Sequence, residues 1–361
     1  MTPTPGTPFG VYLHIPFCAA RCDYCAFATW TDRHHLVAEY LDAMQAEIER
    51  AVAAGAFGPS DATSVFVGGG TPSLVPPTEL VRVLAALPLA DGAEVTVECN
   101  PDDVTPELVA TYRAGGVNRL SFGVQSMVPH VLTALGRTHD PDNVRRSVAL
   151  ARDAGFDTFN LDIIYGTVGE SLADWEETVR SALELDPPHV SAYGLTVEAG
   201  TPLALDPARY PDDDDQAAKY EIADTLLTEA GLASYEISNW ARPGHECRHN
   251  LLYWSQGDYL GFGCAAHSHR AGRRWWNVRT PERYIGLISD GHSAEAAGED
   301  LDADTRRLEG LQLALRTRDG VPRDALDTDE LPEGLVEPDG DRVVLTRAGR
   351  LVANEVSLRL R

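Results

Sequence analysis

Apolar segments of strand length recur along the first half of the chain, and each is followed by glycine or polar residues. Six such segments are present: Val11–Phe17, Ser64–Val67, Glu94–Asn100, Arg119–Gln125, Thr158–Ile164 and His189–Leu195. Short apolar runs bounded by such residues are typical of strands buried in a sheet. The pattern therefore predicts six strands.

Stretches with helical periodicity lie between these strands. The clearest spans about His34 to Ala54, with apolar residues at three- and four-residue spacing: Val37, Leu41, Met44, Ile48 and Val52. Similar patterns occupy Thr105–Ala114, Asn143–Ala154 and Leu172–Leu185. Strands that alternate with helices form parallel sheets with right-handed crossovers, so we expect an α/β fold. Six units are too few for a closed eight-stranded barrel, and an open (β/α)6 barrel is predicted, with its chemistry at the C-terminal ends of the strands.

The regular repeat fades after Leu195. Gln216–Ala230 is predicted to be helical and Ser234–Trp240 extended. Farther along, Thr305–Leu315 and Gly349–Leu360 have helical patterns, and Arg342–Thr346 has a strand pattern. These features predict a division into a disordered tail (1–10), a barrel with a cover segment (11–288), a linker (289–304) and a small winged-helix-like C-terminal domain (305–361).

Composition and charge narrow the function. Of the 361 residues, 43% are hydrophobic and 24% are charged, as in ordinary globular proteins. A formal net charge of −25 argues against a nucleic-acid partner, because phosphate binding needs clustered Lys and Arg. No apolar run approaches the roughly 20 residues that span a bilayer, and the N-terminus lacks the features of a secretory signal. We therefore expect a protein of the cytoplasm, and any contact with membrane-bound partners is expected to be peripheral.

Three cysteines follow the first predicted strand closely: Cys18, Cys22 and Cys25. Protein cubane clusters usually have four thiolate ligands. Three cysteines on one loop leave an iron open for the amino and carboxylate groups of S-adenosylmethionine (SAM). The spacing therefore predicts a [4Fe–4S] cluster. Zinc, with His14 as a fourth ligand, is the alternative that the spacing leaves open.

The motifs around this loop resemble a known family. Tyr12-Leu-His-Ile-Pro-Phe-Cys18, Gly68-Gly-Gly-Thr-Pro-Ser73, Glu98-Cys-Asn-Pro101 and Phe122-Gly-Val-Gln-Ser126 are similar to motifs of one radical SAM family. That family contains the oxygen-independent coproporphyrinogen III dehydrogenases, and the resemblance covers nearly the whole chain. It implies a radical SAM partial barrel that holds a [4Fe–4S] cluster and SAM.

Several polar residues are candidates for contacts with SAM. Glu98, Gln125 and Asp162 each lie near the C-terminal end of a predicted strand, where a carboxylate can accept hydrogen bonds from ribose hydroxyls. For each of them alone, a helix cap or a surface ion pair is nearly as plausible. The resemblance implies that the SAM contacts are Tyr12, Tyr24, Gly69, Gly70, Thr71, Glu98, Gln125, Arg137 and Asp162.

A second motif lies at His249-Asn-Leu-Leu-Tyr-Trp254. From residue types alone, an aromatic segment that covers the barrel mouth, with a structural histidine, is at least as plausible as a ligand site. The motif, however, resembles the heme chaperone branch of the same family. The resemblance implies heme as a further cofactor, with His249 as the iron ligand and His267 or His269 as the alternatives.

One position separates the branches. The dehydrogenases carry a fourth cysteine two residues after the third, and here that position is Phe27. This difference favours a chaperone that binds heme and transfers it to heme-requiring proteins. Oxidative decarboxylation of coproporphyrinogen III is the alternative function, so the sequence leaves open whether the protein is an enzyme.

Overall fold

The computed structural model describes residues 8–58, 61–137 and 139–361. Six parallel strands form the centre of its main sheet: β1 (Phe9–Ile15), β2 (Ala62–Gly69), β3 (Leu89–Cys99), β4 (Arg119–Gln125), β5 (Phe159–Tyr165) and β6 (His189–Gly194). They pair in chain order, each parallel to the next. The predicted (β/α)6 arrangement is therefore confirmed.

Helices follow these strands and cover the sheet. They are α1 (Val37–Ala53), α2 (Pro77–Leu84), α3 (Pro106–Ala114), α4 (Pro129–Ala134), α5 (Pro141–Asp153), α6 (Leu172–Leu183) and α7 (Asp213–Glu229). Side chains cap several of their first turns: the Thr105 hydroxyl accepts the Leu108 N–H, and Ser171 and Asp174 form a capping box. Their apolar faces pack on the sheet and bury most of the core. Of the α1 positions expected to be buried, Val52 is exposed.

The main sheet extends beyond the six strands at both edges. At the β6 edge lie β8 (Asn239–Ala241) and β7 (Ala233–Glu236), both antiparallel. At the β1 edge the order is β9 (Asp258–Phe262), β10 (His267–Arg270), β11 (Arg273–Asn277) and β12 (Glu295–Asp300). β9 runs parallel to β1, and the three strands after it alternate in direction. The sequence did not reveal this extension.

Two predicted boundaries differ from the structure. Phe9 and Gly10 open β1, and Phe9 is buried against Phe57, so the predicted tail is wrong at these two residues. Residues 1–7 of that tail lie outside the described ranges. The predicted linker contains β12, whose six residues are all exposed. With neither face buried, this strand has no apolar alternation for sequence analysis to detect.

The chain continues through α8 (Arg248–Trp254), α9 (Pro281–Ser289) and α10 (Ala303–Leu315) into a smaller group of elements. A three-stranded antiparallel sheet, ordered β13 (Val321–Pro322), β15 (Arg342–Leu345) and β14 (Val336–Asp339), packs there with α10. Instead of one predicted helix over 349–360, two short helices follow, α11 (Arg347–Leu351) and α12 (Ala353–Ser357), because the backbone leaves helical geometry at Val352. Within the described ranges, no helix has the length and apolar character needed to cross a membrane.

Candidate functional site

The three clustered cysteines share one loop that leaves the C-terminal end of β1. Backbone hydrogen bonds close the base of this loop: Trp30 N–H donates to Pro16 O at 2.7 Å, and Cys18 N–H donates to Trp30 O at 3.1 Å. Cys22, Cys25 and Cys18 are half-buried free thiols. Burial raises the pKa of the Cys18 and Cys25 thiols. The loop therefore holds three thiols that are partly shielded from solvent.

The donor set on this loop fits an iron–sulfur cluster with one open iron. Thiolates are the usual cluster ligands, and the loop provides three. The Thr71 hydroxyl donates to Cys18 Sγ at 3.6 Å, a contact of the kind that tunes a cluster ligand. Within the described ranges, no three His, Cys, Asp or Glu side chains already form a closed metal site. A cluster on these thiols therefore remains a prediction.

His14 is not placed as a fourth metal ligand. Its ring is buried, with Nδ1 hydrogen-bonded to the Tyr12 hydroxyl at 3.1 Å and Nε2 to Ala28 O at 2.9 Å. A carbonyl only accepts, so Nε2 carries the proton and Nδ1 accepts from Tyr12. Both ring nitrogens are thus used inside the protein. This arrangement favours a structural role in which His14 fixes the cysteine loop to β1.

The glycine segment after β2 lies directly against the cysteine loop. Gly70 N–H donates to Ile15 O at 2.7 Å, Thr71 N–H to Phe17 O at 2.8 Å, and Gly69 N–H to the Glu98 carboxylate at 3.2 Å. A Cβ on Gly70 would lie 2.6 Å from Phe17 O and 3.0 Å from Cys18 Sγ, so only glycine fits there. The three backbone N–H groups already donate hydrogen bonds within the protein. The backbone of this segment can therefore offer a ligand only its carbonyl oxygens. Carbonyl oxygens accept hydrogen bonds, so this segment suits an ammonium group as its ligand.

Gln125 and Arg137 meet beside the same loop. A Cβ added to Gly123 would lie 2.9 Å from the Gln125 amide nitrogen and 3.2 Å from an Arg137 nitrogen. Gln125 has φ 63° at an irregularity between β4 and β5, a conformation that is costly for a side-chain residue. The Arg137 guanidinium interacts with Tyr24, and within the described ranges its Nε has no hydrogen-bond partner. A half-buried guanidinium with one nitrogen left without a partner fits a carboxylate ligand.

A cavity of about 230 Å³ occupies the interior of the barrel. Tyr12, Gly69, Glu98 and Asp162 line it, so four of the predicted SAM contacts meet there. Burial and the nearby Asp162 carboxylate raise the pKa of Glu98 to about 8. Asp162 accepts hydrogen bonds from Ser121 and Asn160, both at 2.8 Å. Tyr24, Gly70, Thr71, Gln125 and Arg137 lie outside this cavity, around the cysteine loop.

Other cavity residues were not predicted, although a signal for them exists in the sequence. Polar side chains alternate along the inner face of four strands: Thr96 and Glu98 on β3, Ser121 on β4, Asn160 and Asp162 on β5, and His189 and Ser191 on β6. Strand residues two apart share a face, so this alternation marks the barrel interior. Arg119 and Thr96 each keep a buried polar atom without a partner among the described residues.

The His249 motif lies at the opposite end of the barrel from the cysteine loop. Helix α8 packs beneath the N-terminal ends of β1 and β2, where a Cβ on Gly10 would lie 3.0 Å from the His249 ring. The alternative of a segment that covers the barrel mouth is therefore wrong for α8, which closes the floor. His249 is 1% exposed and hydrogen-bonded to Ser64 at 3.0 Å and to Tyr253 at 2.8 Å. Burial lowers its pKa to about 3.

Phe27, His267 and His269 have different environments. Phe27 is 67% exposed and borders the cavity at the end where the cysteine loop lies. His267 is exposed at the start of β10, and His269 is buried on the same strand. The three candidate histidines are therefore not one cluster.

Comparisons with known proteins bear on these observations. Residues 12–182 match the Radical SAM superfamily. The chain is 43% identical to the heme chaperone HemW of Mycobacterium tuberculosis, over 99% of this chain and 95% of that protein. It is 36% identical to HemW of Escherichia coli, over 97% of each chain. The solved coproporphyrinogen III oxidase (HemN) of Escherichia coli has a TM-score of 0.83 at 24% identity, over 98% of this chain and 89% of that chain. The last likeness concerns the fold and confirms the predicted fold class.

Proposed function

The chain belongs to the HemW family within the radical SAM superfamily, and we propose that it is a heme chaperone that binds heme and transfers it to heme-requiring proteins. The proposal rests on 43% and 36% sequence identity to two heme chaperones over nearly the full length of the chain. Phe27 supports it, because the position where the dehydrogenases have a cysteine holds an exposed apolar ring that cannot ligate iron. We place this function in the cytoplasm, where six free thiols persist.

We propose that Cys18, Cys22 and Cys25 hold a [4Fe–4S] cluster and that SAM binds its open iron. When both are bound, the cluster supplies an electron to SAM. The carbonyls of Gly69 and Gly70 would accept from the SAM ammonium, and the unpaired Nε of Arg137 would donate to its carboxylate. Glu98 and Asp162 line the cavity where ribose hydroxyls would find acceptors.

Heme is expected to bind outside the barrel. The cavity of about 230 Å³ is smaller than the roughly 300–1,000 Å³ of pockets that enclose drug-sized ligands. Its wall combines aromatic rings with carboxyl and amide groups such as Glu98, Asn160 and Asp162, and an apolar porphyrin face would leave those polar groups without partners. A site on the protein surface is more compatible with transfer, because the acceptor protein must reach the heme.

Heme titration of the anaerobically reconstituted protein tests the proposal. We expect one heme per chain with a defined Soret band, and transfer to an apo-heme protein such as apomyoglobin when the two are mixed. Given SAM and an electron donor, the protein should form no protoporphyrinogen IX from coproporphyrinogen III. Robust decarboxylation together with no saturable heme binding would favour the dehydrogenase function instead.

A further inference from the structure

The structure distinguishes the three histidines that were candidates for the heme iron, and the inference below rests on the proposed heme binding. His249 is the least accessible. Its ring is stacked on Phe66 at 5.7 Å, and both nitrogens are hydrogen-bonded, to Ser64 and Tyr253. An iron ligand needs an imidazole nitrogen with a free lone pair and a path for the porphyrin. His249 lines the cavity of about 230 Å³, which is too small to enclose a porphyrin, and it would have to lose a hydrogen-bond partner to bind iron.

His269 is also enclosed. It is 8% exposed, its Nδ1 donates to Gly257 O at 3.0 Å, and the Asp258 carboxylate lies 3.9 Å away. The Tyr259 ring packs beside it with a centroid distance of 6.4 Å. A macrocycle could reach this imidazole only if the β9–β10 hairpin opened.

His267 has the properties that the other two lack. It is exposed, and among the described residues its ring takes part in no hydrogen bond that would occupy a nitrogen. Burial of part of the ring, with the nearby Arg274 cation, lowers its pKa, so the imidazole is neutral at pH 7. Neutral imidazole is the form that binds iron.

A flat apolar surface adjoins this imidazole. His267 pairs with Trp276 across β10 and β11, and their rings are stacked at 5.7 Å with an interplanar angle of 29°. Trp276 in turn pairs with Ala297 of β12, and Ala297 is exposed. Side chains of paired residues share a face of the sheet, so the exposed His267 and Ala297 flank the half-buried Trp276 on one face. An axial imidazole stands perpendicular to the porphyrin, so the Trp276 ring stacked on it would keep the imidazole upright and touch the porphyrin edge.

The position of this surface also suits a radical SAM protein. β10 runs antiparallel to β9, so His267 lies where β9 and β1 end, the same edge from which the cysteine loop leaves. Arg274, two residues before Trp276 on the same face, provides a cation, although Glu299 and Glu309 contact it at 2.6 and 3.1 Å. A propionate of heme would compete with these carboxylates.

We infer that His267 is the axial ligand of the heme iron and that Trp276, stacked on the imidazole, holds it in position and contacts the edge of the porphyrin. His249 then acts as a structural residue of the barrel floor. This assignment places the heme on the exposed β10–β12 edge, where an acceptor protein can reach it.

Hemin titration of single variants of the full-length, cluster-loaded protein tests the assignment. His267→Ala should weaken hemin binding at least tenfold and shift the Soret band, and added imidazole should restore the band position. Trp276→Ala should weaken hemin binding about threefold to tenfold without moving the band. His249→Ala, His269→Ala and His130→Ala should keep the Soret band of the unaltered protein. His130 is the matched control, an exposed histidine at the start of α4.

Iron-free protoporphyrin IX separates iron ligation from ring contact. Its affinity should fall in Trp276→Ala and stay unchanged in His267→Ala. If His267→Ala does not retain its iron content and circular dichroism, His267→Gln takes its place. An unchanged hemin spectrum in the folded His267 variant, or loss of the band in His249→Ala alone, would overturn the assignment and leave heme binding intact. Absence of saturable hemin binding by the unaltered protein would instead refute the proposed function.

Discussion

Replacing Glu98 by glutamine removes a carboxyl that the barrel keeps in an unfavourable environment. Burial, with Asp162 nearby, raises the pKa of Glu98 from its ordinary value of 4.5 to about 8. In the unfolded chain the Glu98 carboxyl ionises near pH 4.5, so its burial costs no folding free energy below that pH. The cost in folding free energy grows as the pH rises from about 4.5 to about 8, and it is constant above that pH. The variant should therefore be more stable than the unaltered protein at alkaline pH.

The size of the stability gain follows from the pKa shift of Glu98. One pKa unit corresponds to about 1.4 kcal/mol, so the gain between pH 6 and pH 9 has an upper limit of about 3 kcal/mol. Glu98 is half-buried beside a cavity, and solvent there reduces this figure to about 1–2 kcal/mol. For a chain of 361 residues the change corresponds to roughly 1–3 °C in Tm. Thermal unfolding of both proteins without SAM, at pH 6 and pH 9, measures it.

The same variant should bind SAM less tightly. The glutamine amide keeps an oxygen for the Gly69 N–H, but its NH2 group replaces the second carboxyl oxygen that would accept from a ribose hydroxyl. This loss is worth about 1–2 kcal/mol or roughly 5–30-fold in Kd. Glu47→Gln is the control, because burial raises the pKa of Glu47 to about 7 outside the cavity. It should gain stability with pH and leave SAM binding unchanged. Equal Tm differences at both pH values, with unaltered SAM affinity, would refute the placement of Glu98 in the ligand site.

Two further predictions concern the cluster and the small C-terminal elements. Alanine at any of the three loop cysteines should abolish the iron–sulfur absorbance, whereas Cys99→Ala should retain about four irons per chain; full iron content in the triple loop variant would exclude the cluster site. Asp224 pairs with Arg350 at 3.1 Å and accepts from Trp240 at 2.9 Å. Asp224→Ala should therefore cost about 2–4 kcal/mol in unfolding free energy, because it leaves buried partners unpaired. Glu184 is exposed and pairs with Arg145 at 3.3 Å, so Glu184→Ala should cost less than about 1 kcal/mol, and equal costs for the two would contradict this role.

The sequence by itself determined the parallel barrel and the placement of the three cysteines on one loop. Each inner strand is a local apolar run, and Arg119–Gln125 was predicted with its observed bounds. The helix start at Thr105-Pro106 was likewise predicted, because a cap is a contact between neighbours in the chain. The three cysteines lie within eight residues, so their shared loop needed no knowledge of the fold.

Only the tertiary structure decided where the histidines lie and what surrounds them. Ser64 and His249 are 185 residues apart in the chain, and their hydrogen bond exists because α8 closes the floor beneath β1 and β2. The positive φ of Gln125 depends on how β4 pairs with β5, and β12 exists through its pairing with β11, without any buried face. Periodicity records which side of an element is buried. It does not record which distant element buries it, and for that reason the exposed His267 and the enclosed His249 look alike in the sequence.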